Sequence, residues 1–107
     1  MHLDIASKHL DLTPPLRSYI EEKIGGIAKF IEPFDLEGGA DCKVTVERAT
    51  AHHHKGEVFR AVADLRFPGA VLRAEEFHED ARAAIDEVRR KLLAEIETHK
   101  GKMLHNR

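Results

Sequence analysis

The chain has one cysteine, no tryptophan, one tyrosine and five phenylalanines in 107 residues. A lone thiol, Cys42, excludes an intrachain disulfide and suits a reducing compartment. No apolar run nears the roughly 20 residues that would cross a bilayer, so no membrane partner is expected. The opening Met1-His2-Leu3-Asp4 lacks a basic region followed by an apolar stretch, which predicts no secretory signal and a cytoplasmic location. Gly38-Gly39 has neither the spacing nor the following lysine of a phosphate loop. No nucleophile elbow or Ser-His-Asp arrangement is visible. The expectation is a protein without catalytic residues, cofactor or small-molecule substrate. Aromatics are few, and none form a stacking pattern on a strand. Any nucleic-acid contact therefore rests on phosphates and shape.

What is present is a folded composition, 42% hydrophobic and 34% charged. It suits one domain over residues 1–107 with one modest core. Residues 2–7 alternate as a half-buried strand. Thr13-Pro14 signals a helix start, and apolar residues from Leu16 to Ile31 recur at three- and four-residue spacing, predicting a helix over 14–31. Gly25-Gly26 weakens it locally, and Pro33 ends it. Residues 40–48 alternate again, with Ala40, Cys42, Val44 and Val46 on one side, so Cys42 reads as core filler. Residues 57–67 form a third strand, joined to the second by a polar loop over 50–56. Pro68-Gly69 turns the chain into a fourth strand near 71–75. Phe77, Ala81, Ala84, Ile85, Val88, Leu92 and Ile96 make the stripe of a long final helix. The order β-α-β-β-β-α predicts an α+β two-layer sandwich: a four-stranded mixed sheet with both helices on one face and the first two strands parallel.

Charge is lopsided. Arg89 to Arg107 carries six basic side chains and two acids, +4, while residues 1–88 sum to −6 and the whole chain to −2. Cations at a helix C-terminus complement its macrodipole, but this bias also suits docking on a polyanion. On the last helix Arg82, Arg89 and Lys100 fall within about 20° of one another, along about 27 Å of one edge of the apolar stripe. Arg90 lies further round and Lys91 on the opposite flank. On the first helix Arg17 flanks the stripe, Lys23 falls inside it with its ammonium reaching an edge, and Lys29 is on the far side. The histidines His52, His53 and His54 could ligate a transition metal. Successive hairpin residues point apart, however, and no further ligand stands at a suitable spacing, so no metal site is expected.

The segment Ile5-Ala-Ser-Lys-His-Leu-Asp-Leu-Thr-Pro-Pro-Leu-Arg17 resembles the opening of the ribosome hibernation promoting factor family. This family, also called the sigma-54 modulation family, includes the ribosome-associated inhibitor protein Y. Phe67-Pro-Gly-Ala-Val-Leu-Arg-Ala-Glu75, His78-Glu-Asp-Ala-Arg-Ala-Ala-Ile-Asp-Glu-Val88 and Lys91-Leu92 resemble it further, so the likeness covers essentially the whole chain. It implies a fourth strand through about residue 76 and a last helix from about His78. It also implies a translation inhibitor on the 30S subunit and 70S ribosome, bound in the channel of messenger and transfer RNA. Basic residues of both helices then face 16S ribosomal RNA: Arg17, Lys23, Lys29, Lys91, and Lys100 or Lys102. Members commonly continue the basic face where this chain has Ala94, Glu95, Ile96, Glu97 and Thr98, and here Arg89 and Arg90 stand one turn earlier. The resemblance implies a short form, ending at Arg107 without the dimerisation domain of long members, and only a short basic tail over 101–107 is expected after the helix. The alternative is a regulatory protein-interaction module that binds no RNA.

Overall fold

The computed structural model describes residues 1–35, 37–49 and 58–105, with side chains as far as Lys102. The expected polar loop with His52, His53 and His54 lies outside the described residues. Among the described residues no His, Cys, Asp or Glu cluster suits a metal ion, and no helix is long and apolar enough to cross a membrane.

The elements are β1 (His2–Lys8), α1 (Pro14–Gly25), α2 (Ala28–Ile31), β2 (Asp41–Ala49), β3 (Val58–Phe67), β4 (Ala70–His78) and α3 (Ala81–His105). The sheet order is β1-β2-β3-β4, with β1 and β2 parallel and the other pairs antiparallel, as the sequence predicts. Both helices bury their stripes on the same sheet face. Leu16, Ile20, Ile24, Ile27 and Ile31 share one core with Ile85, Val88, Leu92 and Ile96 and with Val44, Val46, Ala63 and Leu65. Each large aliphatic side chain buried there contributes about 1.5–3 kcal/mol.

Four boundaries differ from the sequence expectation. The helix expected over 14–31 is two pieces. Thr13 caps α1 by accepting from the Leu16 amide at 3.4 Å, with Pro14 and Pro15 in the first turn. The bond from the Gly26 amide to the Glu22 carbonyl closes α1, and the Ile27 amide then tightens to Ile24. A Cβ at Gly26 would lie 2.9 Å from the Glu22 carbonyl oxygen, so glycine is required there. β4 runs two residues past Glu76. Phe77 consequently sits on the strand, half exposed on the open sheet face, rather than in the stripe of α3. The last helix begins at Ala81, not His78, because the Asp80 carboxylate accepts from the Arg82 amide at 2.9 Å and the Asp80 carbonyl from the Ala84 amide. That is an N-cap arrangement, and pairing with β3 keeps the chain extended through His78. At its other end α3 continues through Gly101 to His105, where a tail is expected from 101.

Cys42 is core filler. Burial pushes its thiol from 9.0 up to about 12, with the Asp64 carboxylate adding to the shift. In the unfolded chain the thiol ionises first, so its contribution is complete below about pH 9 and is lost between there and about pH 12. Over that window stability is expected to fall more steeply for the wild type than for Cys42→Ala, by up to about 1.4 kcal/mol per pH unit. Urea unfolding of both proteins across a pH series checks this; parallel curves would remove the thiol as the cause.

Candidate nucleic-acid interface

On α1, Leu16, Ile20 and Ile24 point inward, which sets Tyr19 and Lys23 on one flank and Arg17 on the other. On α3 the inward stripe of Ile85, Val88, Leu92 and Ile96 sets Arg82 and Arg89 on one flank and Lys91 and Lys102 on the opposite one. The helices meet along the first flanks. The Tyr19 hydroxyl donates to Asp86 Oδ1 at 2.5 Å, and Phe34, just beyond α2, packs edge-on against His99 at 5.4 Å. Contacts thus advance together along both chains, so the helices run in the same direction.

Tyr19 organises the seam between them. Its ring has the Arg82 guanidinium 5.0 Å and the Lys23 ammonium 5.6 Å from its centroid. Cations at such distances are held electrostatically by the ring face. The hydrogen bond to Asp86 holds the phenol up at about 12, so it remains a donor through the physiological range. Tyr19→Phe keeps the ring and removes that bond. It is expected to cost about 1 kcal/mol, read as a lower denaturation midpoint at unchanged slope. No change in midpoint would mean that the bond to Asp86 contributes nothing net.

The cations singled out in the sequence divide into two groups. Arg90 pairs with Glu87 at 2.8 Å, Lys91 with Glu76 on β4 at 2.5 Å, and Lys100 with Glu97 at 3.6 Å. The Arg90 hydrogen bond holds the Glu87 carboxyl below its usual range. Among the described residues Arg17, Lys23, Lys29, Arg82, Arg89 and Lys102 make no ion pair. Lys23, Arg82 and Arg89 are gathered on the seam. Arg17 stands across α1 from it, and Lys102 on the β4 side of α3. Lys29 is exposed on α2, 5.2 Å from the Phe30 centroid. The pairs at Arg90 and Lys100 are legible as three-residue spacings. The Lys91–Glu76 and Tyr19–Asp86 contacts join different elements and have no local signature.

The opposite sheet face is neutralised internally. Across the four strands Asp4, Lys43, Asp64 and Arg73 stand side by side in alternating sign, as do Lys8, Glu47 and Arg60 in another row. Arg73 pairs with Asp64 at 3.0 Å, and Arg60 bridges Glu47 and Glu75. Among the described residues Lys8, Lys43 and Arg66 make no ion pair, but each stands beside an acid in the register, Lys8 beside Glu47, Lys43 beside Asp4 and Asp64, and Arg66 beside Asp41, so this face is balanced in charge.

Residues 3–104 match the family model described as sigma 54 modulation protein / S30EA ribosomal protein. The chain is 32% identical over 103 residues to a ribosome hibernation promotion factor of Bacillus subtilis, covering 96% of this chain and 50% of that one. It is 31% identical over 102 residues to a ribosome hibernation promoting factor of Pseudomonas putida, covering 95% and 89%. The protein Y N-terminal domain of Thermus thermophilus superposes with a TM-score of 0.70 at 25% identity, covering 92% of this chain and 99% of that one. The chain thus spans about half the length of the Bacillus relative and most of the Pseudomonas one. A family match over nearly every residue, together with a shared fold, establishes that this chain belongs to the sigma 54 modulation protein / S30EA ribosomal protein family.

Proposed function

We propose that the protein is a non-catalytic ribosome hibernation factor. Its helix layer docks on 16S ribosomal RNA in the decoding channel of the 30S subunit, in free subunits and in 70S ribosomes, and excludes messenger and transfer RNA. The observation that carries this reading is the division of charge. The charges of the sheet face stand beside charges of opposite sign across the strands, whereas Lys23 and Arg82 meet on the Tyr19 ring with Arg89 on the same flank of α3, and among the described residues none of the three has an ion-pair partner. Arg17, Lys29 and Lys102 extend the same positive layer to either side. A polyanion gains most where it replaces no internal carboxylate. The charged pairs at Arg90, Lys91 and Lys100 make these positions weaker contributors, since RNA must compete there with Glu87, Glu76 and Glu97. The channel assignment follows from the family resemblance.

The test is co-sedimentation with purified 30S and 70S particles, followed by competition with messenger and initiator transfer RNA. Binding to both particles and mutual exclusion with the RNAs are expected. Binding that tolerates both RNAs would move the protein out of the channel, and no co-sedimentation at low salt would end the proposal.

A further inference from the structure

The two exposed large hydrophobics among the described residues, Val71 (64% exposed) and Phe77 (50%), both lie on β4, an edge strand. They stand three residues either side of Ala74. Between them Arg73 and Glu75 stand one residue either side of it. The strand is therefore self-complementary about Ala74: laid antiparallel on a copy of itself, it sets Val71 against Phe77 and Arg73 against Glu75, twice over.

Backbone polarity agrees with this register. The β3–β4 hairpin turns on Pro68-Gly69, with Gly69 at φ +88°, and its pairing runs without a bulge from Phe67↔Ala70 to Phe59↔His78. A two-residue turn closes on a hydrogen-bonded pair, after which bonded and non-bonded pairs alternate. Ala70, Leu72, Ala74, Glu76 and His78 thus spend their amides and carbonyls on β3. Those of Val71, Arg73, Glu75 and Phe77 point out at the edge. In the register centred on Ala74 these are the residues that face one another, and each facing pair exchanges both of its N–H···O bonds. Centring one residue earlier or later would oppose Arg73 to Arg73 or Glu75 to Glu75, which is destabilising. Ala74 at the two-fold axis is small.

We propose that β4 is a homodimerisation edge: a second copy of this chain adds its β4 antiparallel about Ala74, joining two four-stranded sheets into one. The contact is isologous, so it closes at two copies and does not propagate into fibres. Within the chain Arg73 already pairs with Asp64 and Glu75 with Arg60, and Arg73 and Glu75 stand 3.9 Å from each other. The dimer adds a further opposite charge to each. The inference is independent of the ribosome-binding proposal, which uses the helix layer.

Sedimentation equilibrium of the full chain tests it. The wild type is expected to pass from monomer to dimer over the high-micromolar range of a small interface. Arg73→Glu and Glu75→Arg should each weaken association at least about tenfold, because like charges then meet at two symmetric positions. Mixing these two variants should restore association to near the wild-type strength, since every facing pair is again of opposite sign. A wild type that stays monomeric throughout, single variants that associate as the wild type does, or a mixture that stays monomeric would each overturn the proposal. A second measurement does not depend on charge-reversed chains folding. Val71→Cys mixed with Phe77→Cys should form the mixed disulfide in preference to either self-disulfide, since facing Cα atoms of a bonded pair lie about 5.5 Å apart. Absence of that preference would overturn the register.

Discussion

Affinity for 30S particles is expected to fall about a thousandfold between roughly 50 and 200 mM monovalent salt, the loss typical of a protein that neutralises about six phosphates. Six is the number of candidate cations without an internal ion pair: Arg17, Lys23, Lys29, Arg82, Arg89 and Lys102. Each phosphate contact releases condensed counterions, and added salt removes that entropic gain. If the three paired cations engaged RNA as well, their carboxylates would have to be displaced and the dependence would be steeper. Binding constants from a titration at four or five salt concentrations give the slope directly. A nearly flat dependence would mean that the contact is not with phosphates.

Replacing Lys23, Arg82 and Arg89 together by alanine is expected to weaken 30S binding on the order of a hundredfold. That figure takes about 1 kcal/mol, the net worth of an ordinary solvent-exposed hydrogen bond, for each phosphate contact that the variant can no longer make. The slope of log affinity against log salt should fall by about three. All three side chains are on helix flanks outside the buried core, so the far-ultraviolet spectrum should be unchanged. Arg90→Ala is the matched comparison, because it removes a cation already engaged by Glu87. It should change binding only slightly. Equal losses in the two proteins would show that general positive charge matters and the seam does not. Wild-type binding by the triple variant would place the RNA face elsewhere.

Much of the architecture was legible along the chain because it depends on local periodicity. The alternation of Cys42, Val44 and Val46 marked a strand with one buried face, and the run from Leu16 to Ile31 marked a helix stripe. Both are buried as that spacing requires. The misplacement of Phe77 has an equally physical cause. Its position in the sequence continues the stripe of Ala81, Ala84 and Ile85, so periodicity alone assigns it to the helix. Pairing of Arg60 with Phe77 across the sheet decides otherwise, and that pairing is a long-range contact with no local signal. The gap between α1 and α2 is similar. The glycines signalled weakness, but the actual stop depends on how closely the Gly26 backbone approaches the Glu22 carbonyl.

For the candidate site, the sequence by itself determined which cations exist and, for Arg17, Arg82, Arg89 and Lys91, on which flank of the helix they stand, because helical phase follows from residue spacing. It also revealed the imbalance between a basic C-terminal segment and an acidic remainder. The pairs at Arg90 and Lys100 follow from helical spacing, but only the tertiary structure decided that Lys91 is engaged and that Lys23 and Arg82 come together. Glu76 reaches Lys91 from another element, Asp86 engages Tyr19 across 67 residues of chain, and Tyr19 in turn gathers Arg82 and Lys23. Coulombic and hydrogen-bonding partners are set by distance in space, and the fold of α1 against α3 brings these groups together. The same holds for the β4 edge. Val71, Arg73, Glu75 and Phe77 are plain in the chain, but their common exposure on an unpaired strand exists only once β3 has taken the other side.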